Sequence, residues 1–285
     1  MKIAAALVLY NTDPHEVSNN IKTFIDFVDV LYIYDNTEKI IHFNYQALSP
    51  KIHYYWDGIN EGIAKRLNCA AKIASDNHYK WLLTMDQDSS FSEKNIDEYI
   101  SKFNTYSEDN SIAIMGLSSD DDDINSTETN DFIIVNHLIT SGSIINIDVH
   151  NVVGGFDENL FIDGIDWDYC INTKLAGFKS IKFPEIKMLH NLGEKVNRAS
   201  IKSLFLIKKE KSIHNPIRCY YMKRNLLYLQ KKYNKYNLST IDELTNHTEA
   251  HLKICLLYGR HFVKTLIMIN MGKKDFRAKV FGKKK

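Results

Sequence analysis

Residues 81–88 read Trp81-Leu82-Leu83-Thr84-Met85-Asp86-Gln87-Asp88. The apolar first part is typical of a buried strand, and it ends abruptly in two carboxylates that flank one residue. Side chains alternate between the faces of a strand, so Asp86 and Asp88 project together if the extended geometry continues past Met85. Neighbouring carboxylates repel each other, and a divalent cation such as Mg²⁺ or Mn²⁺ would relieve that repulsion. The alternative is a solvated, Asp-rich turn.

The preceding sequence alternates apolar runs with segments of helical spacing. The runs lie at residues 3–10, 30–34, 52–56 and 81–85. This alternation predicts an α/β protein whose Rossmann-like, mainly parallel sheet is flanked by helices. Polar residues follow the strands at Tyr10-Asn11, Asp35-Asn36, Asn60-Glu61-Gly62 and Asp86-Gln87-Asp88. Ligands bind beyond the carboxyl ends of such strands, so we expect these four tips to converge on one crevice.

The second half of the chain has a less regular pattern. A helix is predicted after Ser92, and strands are predicted at residues 112–117, 132–135, 138–147 and 180–183. The acidic run at residues 120–123 lacks the Gly and distal Glu of an EF-hand and is interpreted as a solvated loop. Helices are expected at residues 217–233 and 241–271. We therefore predict two parts, an α/β domain at 1–200 and a helical C-terminal extension with a basic tail at 201–285.

Composition narrows the class of protein. The chain has 285 residues and a formal net charge of +1, which provides no overall basic signal for nucleic acid. Four scattered cysteines without a CxxC pair predict free thiols and no zinc site. The apolar run at residues 3–9 is short and lacks a cleavage pattern, and no stretch is long and apolar enough to span a bilayer. These features predict a cytoplasmic protein.

Several short motifs in this order resemble the family 2 glycosyltransferases of the GT-A fold, and within them the bacterial rhamnosyltransferase-like group. The motifs are Val8-Leu9-Tyr10-Asn11, Asp35-Asn36, Asn60-Glu61-Gly62-Ile63-Ala64, Asp86-Gln87-Asp88, Gly154-Gly155-Phe156-Asp157-Glu158, residues 163–170, His190-Asn191-Leu192-Gly193, Tyr220-Tyr221 and Arg224-Asn225. The resemblance covers residues 3–230, and it implies that the part at 1–200 is a nucleotide-sugar-binding and catalytic domain. It implies inverting transfer of a sugar from a nucleoside diphosphate donor to an acceptor hydroxyl. It favours dTDP-rhamnose, with a UDP-hexose or UDP-galactofuranose as alternatives.

The resemblance also implies roles for residues at the donor site. The expected nucleotide contacts are Tyr10, Asn11, Asp35, Asn60, Gly62 and Ile63. Asp88 would be the direct ligand of Mg²⁺ or Mn²⁺, with Asp86 facing the ribose or the metal's water shell. His190 would add a metal or diphosphate contact, and its alternative is a structural histidine. Arg224 would lie near the diphosphate or the acceptor, and its alternative is a surface arginine.

Inversion requires a base that removes the proton of the acceptor hydroxyl. The family often shows Glu-Asp-x-Asp where this chain has Ile165-Asp166-Trp167-Asp168, so the first acid is absent and Asp163 lies three residues before Asp166. Asp166 is the expected base. Asp163 and Asp168 are the alternatives, which would otherwise orient or cap a helix. Trp167 would stack on an acceptor sugar or be a buried aromatic.

The last part of the chain combines apolar and basic residues. Lys and Arg dominate residues 273–285, opposed only by Asp275. We expect residues 254–269 to pack on the catalytic domain. The terminal basic stretch is expected to contact an anionic membrane peripherally, at the inner face of the cell membrane. A glycan or a lipid-linked acceptor of cell-surface polysaccharide synthesis would suit that location.

Other classes of function fit the pattern less well. A non-catalytic nucleotide- or carbohydrate-binding module of the same fold remains the alternative to an enzyme. A glycosidase with paired carboxylates needs no nucleotide pocket, so the tips at Asp35 and Asn60 would be unexplained. A nucleic-acid-binding protein would need a basic excess in residues 1–200, which the sequence lacks.

Overall fold

A computed structural model describes residues 2–119, 131–190, 194–199 and 208–284. The predicted loop at residues 120–123 and the motif residues 191–193 lie outside the described residues. The chain divides into two compact units, Met1–Asp157 with Asp166–Asn191, and Glu158–Ile165 with Leu192–Lys285. The sequence predicts a single boundary near residue 200. It does not predict that the segment Glu158–Ile165 belongs to the second unit.

The first unit is built on a mixed sheet. Its strands are β1 (Ile3–Leu9), β2 (Val30–Asp35), β3 (Ile52–Trp56), β4 (Trp81–Asp86), β5 (Ser89–Ser90), β6 (Ile112–Ser119), β7 (Ile133–Ile134), β8 (Ser143–Asn146) and β9 (Lys179–His190). Among the described residues these nine strands form one sheet in the order β3-β2-β1-β4-β8-β6-β9-β5, with β7 paired to β9. The sheet confirms the predicted α/β class.

The first four strands in the chain are parallel to one another. Leu9 pairs with Asp35, and Val8 pairs with Asp86. Because β1 lies between β2 and β4, the carboxyl ends of these three strands are adjacent at one edge of the sheet. Every residue of β2 and nearly every residue of β1 and β4 is buried, as expected for strands covered on both faces.

Helices flank this sheet. They are α1 (Pro14–Lys22), α2 (Ile63–Asp76), α3 (Glu93–Tyr106), α4 (Ile147–Val153) and α5 (Ile165–Leu175). Two of them begin at a side chain that caps the helix, and the start of α3 after Ser92 is the predicted one. The Asp13 side chain accepts a hydrogen bond from the His15 N–H at α1, with Pro14 at the first helical position. The Ser92 side chain accepts one from the Asn95 N–H at α3.

One predicted strand is wrong over part of its length. Residues 138–147 were expected to be extended, but only Ser143–Asn146 is a strand, and α4 follows at once. The helix begins at residue 147 because the Asn146 side chain accepts hydrogen bonds from the N–H groups of Asp148 and Val149. Before the strand, Gly142 has φ 72° and interrupts the extended conformation. The residues before Ser143 form a loop that carries part of the candidate site.

The second unit is not purely helical. Strands β10 (Glu194–Ala199) and β11 (Lys208–Ile213) pair antiparallel and precede α6 (Pro216–Tyr233), α7 (Ser239–Tyr258) and α8 (Phe262–Arg277). The predicted helix at residues 241–271 is two helices, interrupted at Gly259-Arg260-His261. No helix in the described part of the chain is long and apolar enough to cross a membrane.

The expected packing of residues 254–269 on the catalytic domain stays a prediction, and only part of this stretch is buried. Cys255 and Ile269 are buried in the core of the second unit. Four large apolar residues at the start of α8 are exposed instead, namely Phe262, Val263, Leu266 and Ile267. The sequence pattern could not distinguish the two sides of α8 because apolar residues occur on both.

Candidate active site

Asp35 ends β2 and is buried at the carboxyl edge of the sheet. Its Oδ1 accepts a hydrogen bond from the Thr37 N–H at 2.8 Å, and its Oδ2 accepts one from the Tyr54 hydroxyl at 2.8 Å. Burial, and then the hydrogen bond to Asp35, raises the pKa of Tyr54, so the phenol stays protonated and donates. A carboxylate oxygen can accept a second hydrogen bond, so Asp35 retains capacity for a ligand N–H or O–H.

Asn36 joins the end of β2 to the loop before α2. Its Nδ2 donates to the Gly62 carbonyl at 3.3 Å, and its Oδ1 accepts from the Glu61 N–H at 3.3 Å. Gly62 has φ 86°, a conformation that favours glycine, and its N–H donates to Asn60 Oδ1 at 3.1 Å. The Asn60 side chain therefore shapes this loop, and a contact of Asn60 or Ile63 with a nucleotide stays a prediction.

Arg66 is a buried member of this edge that the sequence analysis missed. Its Nε donates to Asn36 Oδ1 at 2.8 Å, and its Nη2 donates at 2.7 Å to both Asp57 Oδ1 and the Ile59 carbonyl. The hydrogen bond from Arg66 lowers the pKa of Asp57. Arg66 thus connects three parts of the loop region. Arginine side chains are mostly exposed in proteins, so the sequence of this helix does not indicate that Arg66 is buried.

The pair Asp86 and Asp88 lies at the end of β4, next to the tip of β1. The strand ends at Asp86, and Gln87 and Asp88 form a turn, so the extended geometry assumed for the pair does not continue. Gln87 is directed to Tyr10, because its Oε1 accepts from the Tyr10 N–H at 2.8 Å and its Nε2 donates to the Tyr10 carbonyl at 3.3 Å. Both aspartates are partly exposed.

The chemistry of this turn fits a divalent cation. Two partly exposed carboxylates supply hard oxygen ligands and leave coordination positions for water and diphosphate oxygens. The described residues hold no group of three or more His, Cys, Asp or Glu placed for a metal ion. A cation at Asp86 and Asp88 would therefore need donor or water ligands as well. His190 ends β9 and pairs through its backbone with Ser89, but its side chain lies outside the described part, so its metal role stays a prediction.

A loop at residues 136–142 is attached to the end of β4. The Asp86 N–H donates to Ser141 Oγ at 3.0 Å, and the Ser141 hydroxyl donates to Ser89 Oγ at 2.8 Å. The Gly142 N–H donates to the Thr84 carbonyl at 2.8 Å. These bonds hold the loop beside the aspartate pair.

The same loop carries His137, which contacts the expected base. His137 Nε2 lies 2.9 Å from Asp166 Oδ2, and the Trp167 N–H donates to Asp166 Oδ1 at 2.9 Å. The His137 and Trp167 rings are stacked, with centroids 3.7 Å apart and an interplanar angle of 7°. Trp167 therefore covers an imidazole with one ring face. The Asp166 side chain is 22% exposed, so it is accessible to a substrate.

The environment of Asp166 favours its ionised form. Burial raises the pKa of Asp166, but the charge and hydrogen bond of His137, together with the Trp167 N–H, outweigh burial and lower the pKa overall. Asp166 is therefore a carboxylate at neutral pH and can accept a proton.

The two alternative bases are less suitable. Asp168 is fully buried in α5. Asp163 belongs to the second unit, where its Oδ1 accepts a hydrogen bond from Arg218 Nε at 2.9 Å in an ion pair. A base must reach a hydroxyl that arrives from solvent, so the geometry favours Asp166 over both.

Arg224 has a structural role in the second unit. Its side chain is completely buried, so the interpretation as a surface arginine is wrong. Its Nη1 donates to the Gly282 carbonyl at 2.7 Å, and its Nη2 donates to the carbonyls of Asn159 and Leu160 at 3.1 and 3.2 Å. The guanidinium is occupied by backbone acceptors, so the structure does not support the predicted contact with a diphosphate or acceptor.

Comparison with known proteins agrees with this geometry. Residues 33–164 match the model of glycosyl transferase family 2. The curated protein "dTDP-rhamnosyl transferase RfbF" of Shigella flexneri is 27% identical over 248 residues, covering 81% of this chain and 80% of the relative. The solved structure "Crystal structure of GalNAc-T7 with UDP, GalNAc and Mn2+" has a TM-score of 0.52 at 11% identity. The match covers 66% of this chain and only 43% of that one, and it shows the fold alone.

The fold is GT-A-like, and the match to glycosyl transferase family 2 together with the similarity to a rhamnosyl transferase supports a glycosyltransferase. Its residues 33–164 form a family 2 glycosyltransferase domain, and over most of its length the chain is rhamnosyltransferase-like in sequence.

Proposed function

We propose that the protein is an inverting, metal-dependent transferase. It moves rhamnose from dTDP-rhamnose to a hydroxyl of a glycan or lipid-linked acceptor in cell-surface polysaccharide synthesis. The donor is inferred from the similarity to a protein described as a dTDP-rhamnosyl transferase. A cytoplasmic site of reaction fits the four cysteines, all of which are free thiols.

The observation that supports this function best is the loop at residues 136–142. It is bonded to the end of β4 through Ser141 and to the candidate base through His137. One short loop therefore contacts both functional groups. The first is the Asp86 and Asp88 pair, which suits a diphosphate–cation complex, and the second is the ionised carboxylate of Asp166, which suits proton abstraction. Inverting transfer needs these two functions close together, on opposite sides of the anomeric carbon.

The donor would bind at the carboxyl ends of β1, β2 and β4. Asp35 would receive hydrogen bonds from the base or ribose, and Asn11 and Gly62 would complete the nucleotide contacts. Asp86 and Asp88 would hold Mg²⁺ or Mn²⁺. A cation bound there would neutralise the charge that develops on the leaving diphosphate.

Asp166 would act as the base. It accepts the proton of the acceptor hydroxyl while that oxygen forms a bond to the anomeric carbon, and the bond from this carbon to the diphosphate oxygen breaks. His137 and the Trp167 N–H each form a hydrogen bond with one oxygen of the Asp166 carboxylate, and the two contacts fix its orientation. His137 is accordingly a positioning residue.

A thermal-shift panel combined with product release tests the proposal. The full chain is mixed with dTDP-rhamnose or UDP-sugars, with and without Mn²⁺. We expect dTDP-rhamnose with Mn²⁺ to raise the melting temperature most, because a ligand that binds only the native state stabilises it. Asp88→Asn should lose the Mn²⁺-dependent part of the rise. Asp97→Asn, an exposed aspartate on α3, is the matched control and should keep it.

The outcomes separate the parts of the proposal. A larger shift with a UDP-sugar would contradict the assigned donor and leave the reaction class intact. Binding with no release of nucleoside diphosphate, either to acceptors or to water, would indicate a binding module instead of an enzyme. An equal shift with and without Mn²⁺ would contradict metal dependence.

A further inference from the structure

Helix α8 has one side that is fixed against the second unit. Its buried residues are Thr265, Ile269 and Gly272, which recur every three or four positions and so share one side of the helix. Gly272 allows close contact with α6. A Cβ at this position would lie 2.6 Å from the Tyr220 carbonyl oxygen and 3.2 Å from the backbone nitrogen of Arg224. This contact defines which side of α8 faces outward.

The outward side begins with exposed apolar residues. Phe262, Val263, Leu266 and Ile267 are exposed by 53%, 67%, 41% and 51%. They occupy the first two turns of α8 and form one contiguous group, because positions one, three and four apart are neighbours on a helix. Single exposed apolar side chains are ordinary, but a cluster of this kind marks a surface that contacts another apolar phase or partner.

The rest of the outward side is basic. Each residue advances the helix by about 100°, which places Lys274 and Arg277 in line with Val263 and Leu266. Residues 260–284 contain eight Lys or Arg and one acidic residue, Asp275, in a chain whose formal net charge is +1. The Asp275 carboxylate accepts a hydrogen bond from the Tyr220 hydroxyl of α6 at 2.7 Å, which directs it toward α6 and away from the outward side of α8.

We infer that this outward side of α8, residues 262–267 with Lys274 and Arg277, docks on the surface of an anionic lipid membrane. An interfacial helix inserts apolar side chains at the acyl boundary while Lys and Arg contact anionic headgroups. Lipid combines an apolar layer with negative charge, which complements both halves of this surface. A second copy of the chain would place like-charged helices against each other, which disfavours self-association.

The docking surface shares only Lys274 and Arg277 with the terminal basic stretch, residues 273–285, that the sequence predicts to contact a membrane. The terminal basic stretch alone would give an electrostatic and salt-labile association. The exposed group on α8 adds apolar insertion, which salt does not screen. The docking surface belongs to the second unit and does not depend on the assigned donor or base, so it can be tested without measuring transfer.

Vesicle flotation of the full chain provides the test. The vesicles are phosphatidylcholine alone, or phosphatidylcholine with about one-third phosphatidylglycerol. The protein should float with the anionic vesicles and not with the neutral ones. The double variant Leu266→Ser/Ile267→Ser should partition at least about tenfold more weakly, because two large apolar side chains no longer insert. Lys274→Gln/Arg277→Gln should weaken binding most at low salt.

A matched control distinguishes this surface from general hydrophobicity. Val152→Ser removes an exposed apolar side chain (71%) from α4 of the first unit and should leave flotation unchanged. Unchanged melting temperatures and donor-induced shifts would show that all variants are folded. The inference is overturned if the wild type does not float, or if the Leu266/Ile267 variant floats as well as the wild type. A concentration-dependent dimer that this variant dissociates would also overturn it and identify a second copy as the occupant.

Discussion

His137 Nε2 lies 2.9 Å from Asp166 Oδ2, and the two residues are 29 positions apart in the chain. Stacking of the imidazole on Trp167 leaves little freedom for the ring to rotate away from this contact. The carboxylate that we assign as the base is thus oriented by a side chain from a different segment, the loop that also contacts the end of β4.

Asp166→Asn should abolish transfer and preserve donor binding. The amide cannot accept the proton of the acceptor hydroxyl, and loss of a general base lowers turnover by about 10²–10⁴-fold. Turnover and the donor-induced thermal shift are measured together. Asp148→Asn, an exposed aspartate at the start of α4, is the control and should be active. Turnover within a few-fold of wild type in Asp166→Asn would rule out this base.

His137→Ala should change the pH dependence of transfer as well as its rate. The interaction with His137 lowers the pKa of Asp166, so its loss moves the pKa upward and the base becomes protonated at higher pH. We expect the acidic limb of the kcat/KM profile to move to higher pH. His137→Gln keeps a neutral hydrogen-bond donor and should recover part of the rate without restoring the limb. An unmoved limb in both variants would contradict the positioning role.

Asp35→Asn should weaken donor binding by about 1.5–3 kcal/mol, the usual contribution of a hydrogen bond to a charged group. Tyr54→Phe removes one donor to Asp35 but keeps the carboxylate, so its effect on donor affinity should be smaller. Titration calorimetry with the donor measures both. The control is Tyr55→Phe on the same strand, whose ring stacks on Tyr34. Unchanged affinity in Asp35→Asn would remove Asp35 from the nucleotide site.

Arg66→Met should destabilise the first unit by about 2 kcal/mol or more, because buried acceptors at Asn36 and Ile59 lose their donor. Donor affinity should fall with it, since Arg66 holds the loop that contains Gly62. Lys65→Met, one residue earlier and partly exposed, should change stability by less than about 0.5 kcal/mol. Urea denaturation and donor titration are the measurements. Equal effects of the two substitutions would be evidence against the loop-holding role.

Acid should destabilise the first unit through His150. Burial lowers the pKa of His150 to about 4, and its Nδ1 has no hydrogen-bond partner in the described part of the chain. The unfolded chain binds this proton near pH 6.5 and the folded chain does not, so the full stability is present above pH 6.5 and declines as the pH falls toward 4. The loss at pH 5 is about 2 kcal/mol.

His150→Leu should make stability less dependent on pH between 7 and 5 in urea denaturation. His53→Gln, an exposed histidine on β3, is the matched substitution and should keep the wild-type dependence. Identical pH dependence in His150→Leu and the wild type would show that another group carries the acid sensitivity.

The amino-acid sequence by itself determined the parallel strands and the polar residues at their carboxyl ends. Apolar runs and the polar residues that end them are local features, and parallel strands bring their carboxyl ends to one edge. It also placed Asp166 at the start of a helix, because a motif at a helix start is contiguous in the chain.

Tertiary structure alone decided the contacts between distant segments. His137 gave no signal because it lies in a loop without periodicity, 29 residues from its partner. The burial of Arg66 and Arg224 depends on backbone carbonyls that reach them from other loops. The exposure of Leu266 and Ile267 depends on which side of α8 meets α6. The composition and periodicity of α8 would be the same whichever of its sides met α6. Only the packed structure therefore distinguishes the residues of the core from those of the docking surface.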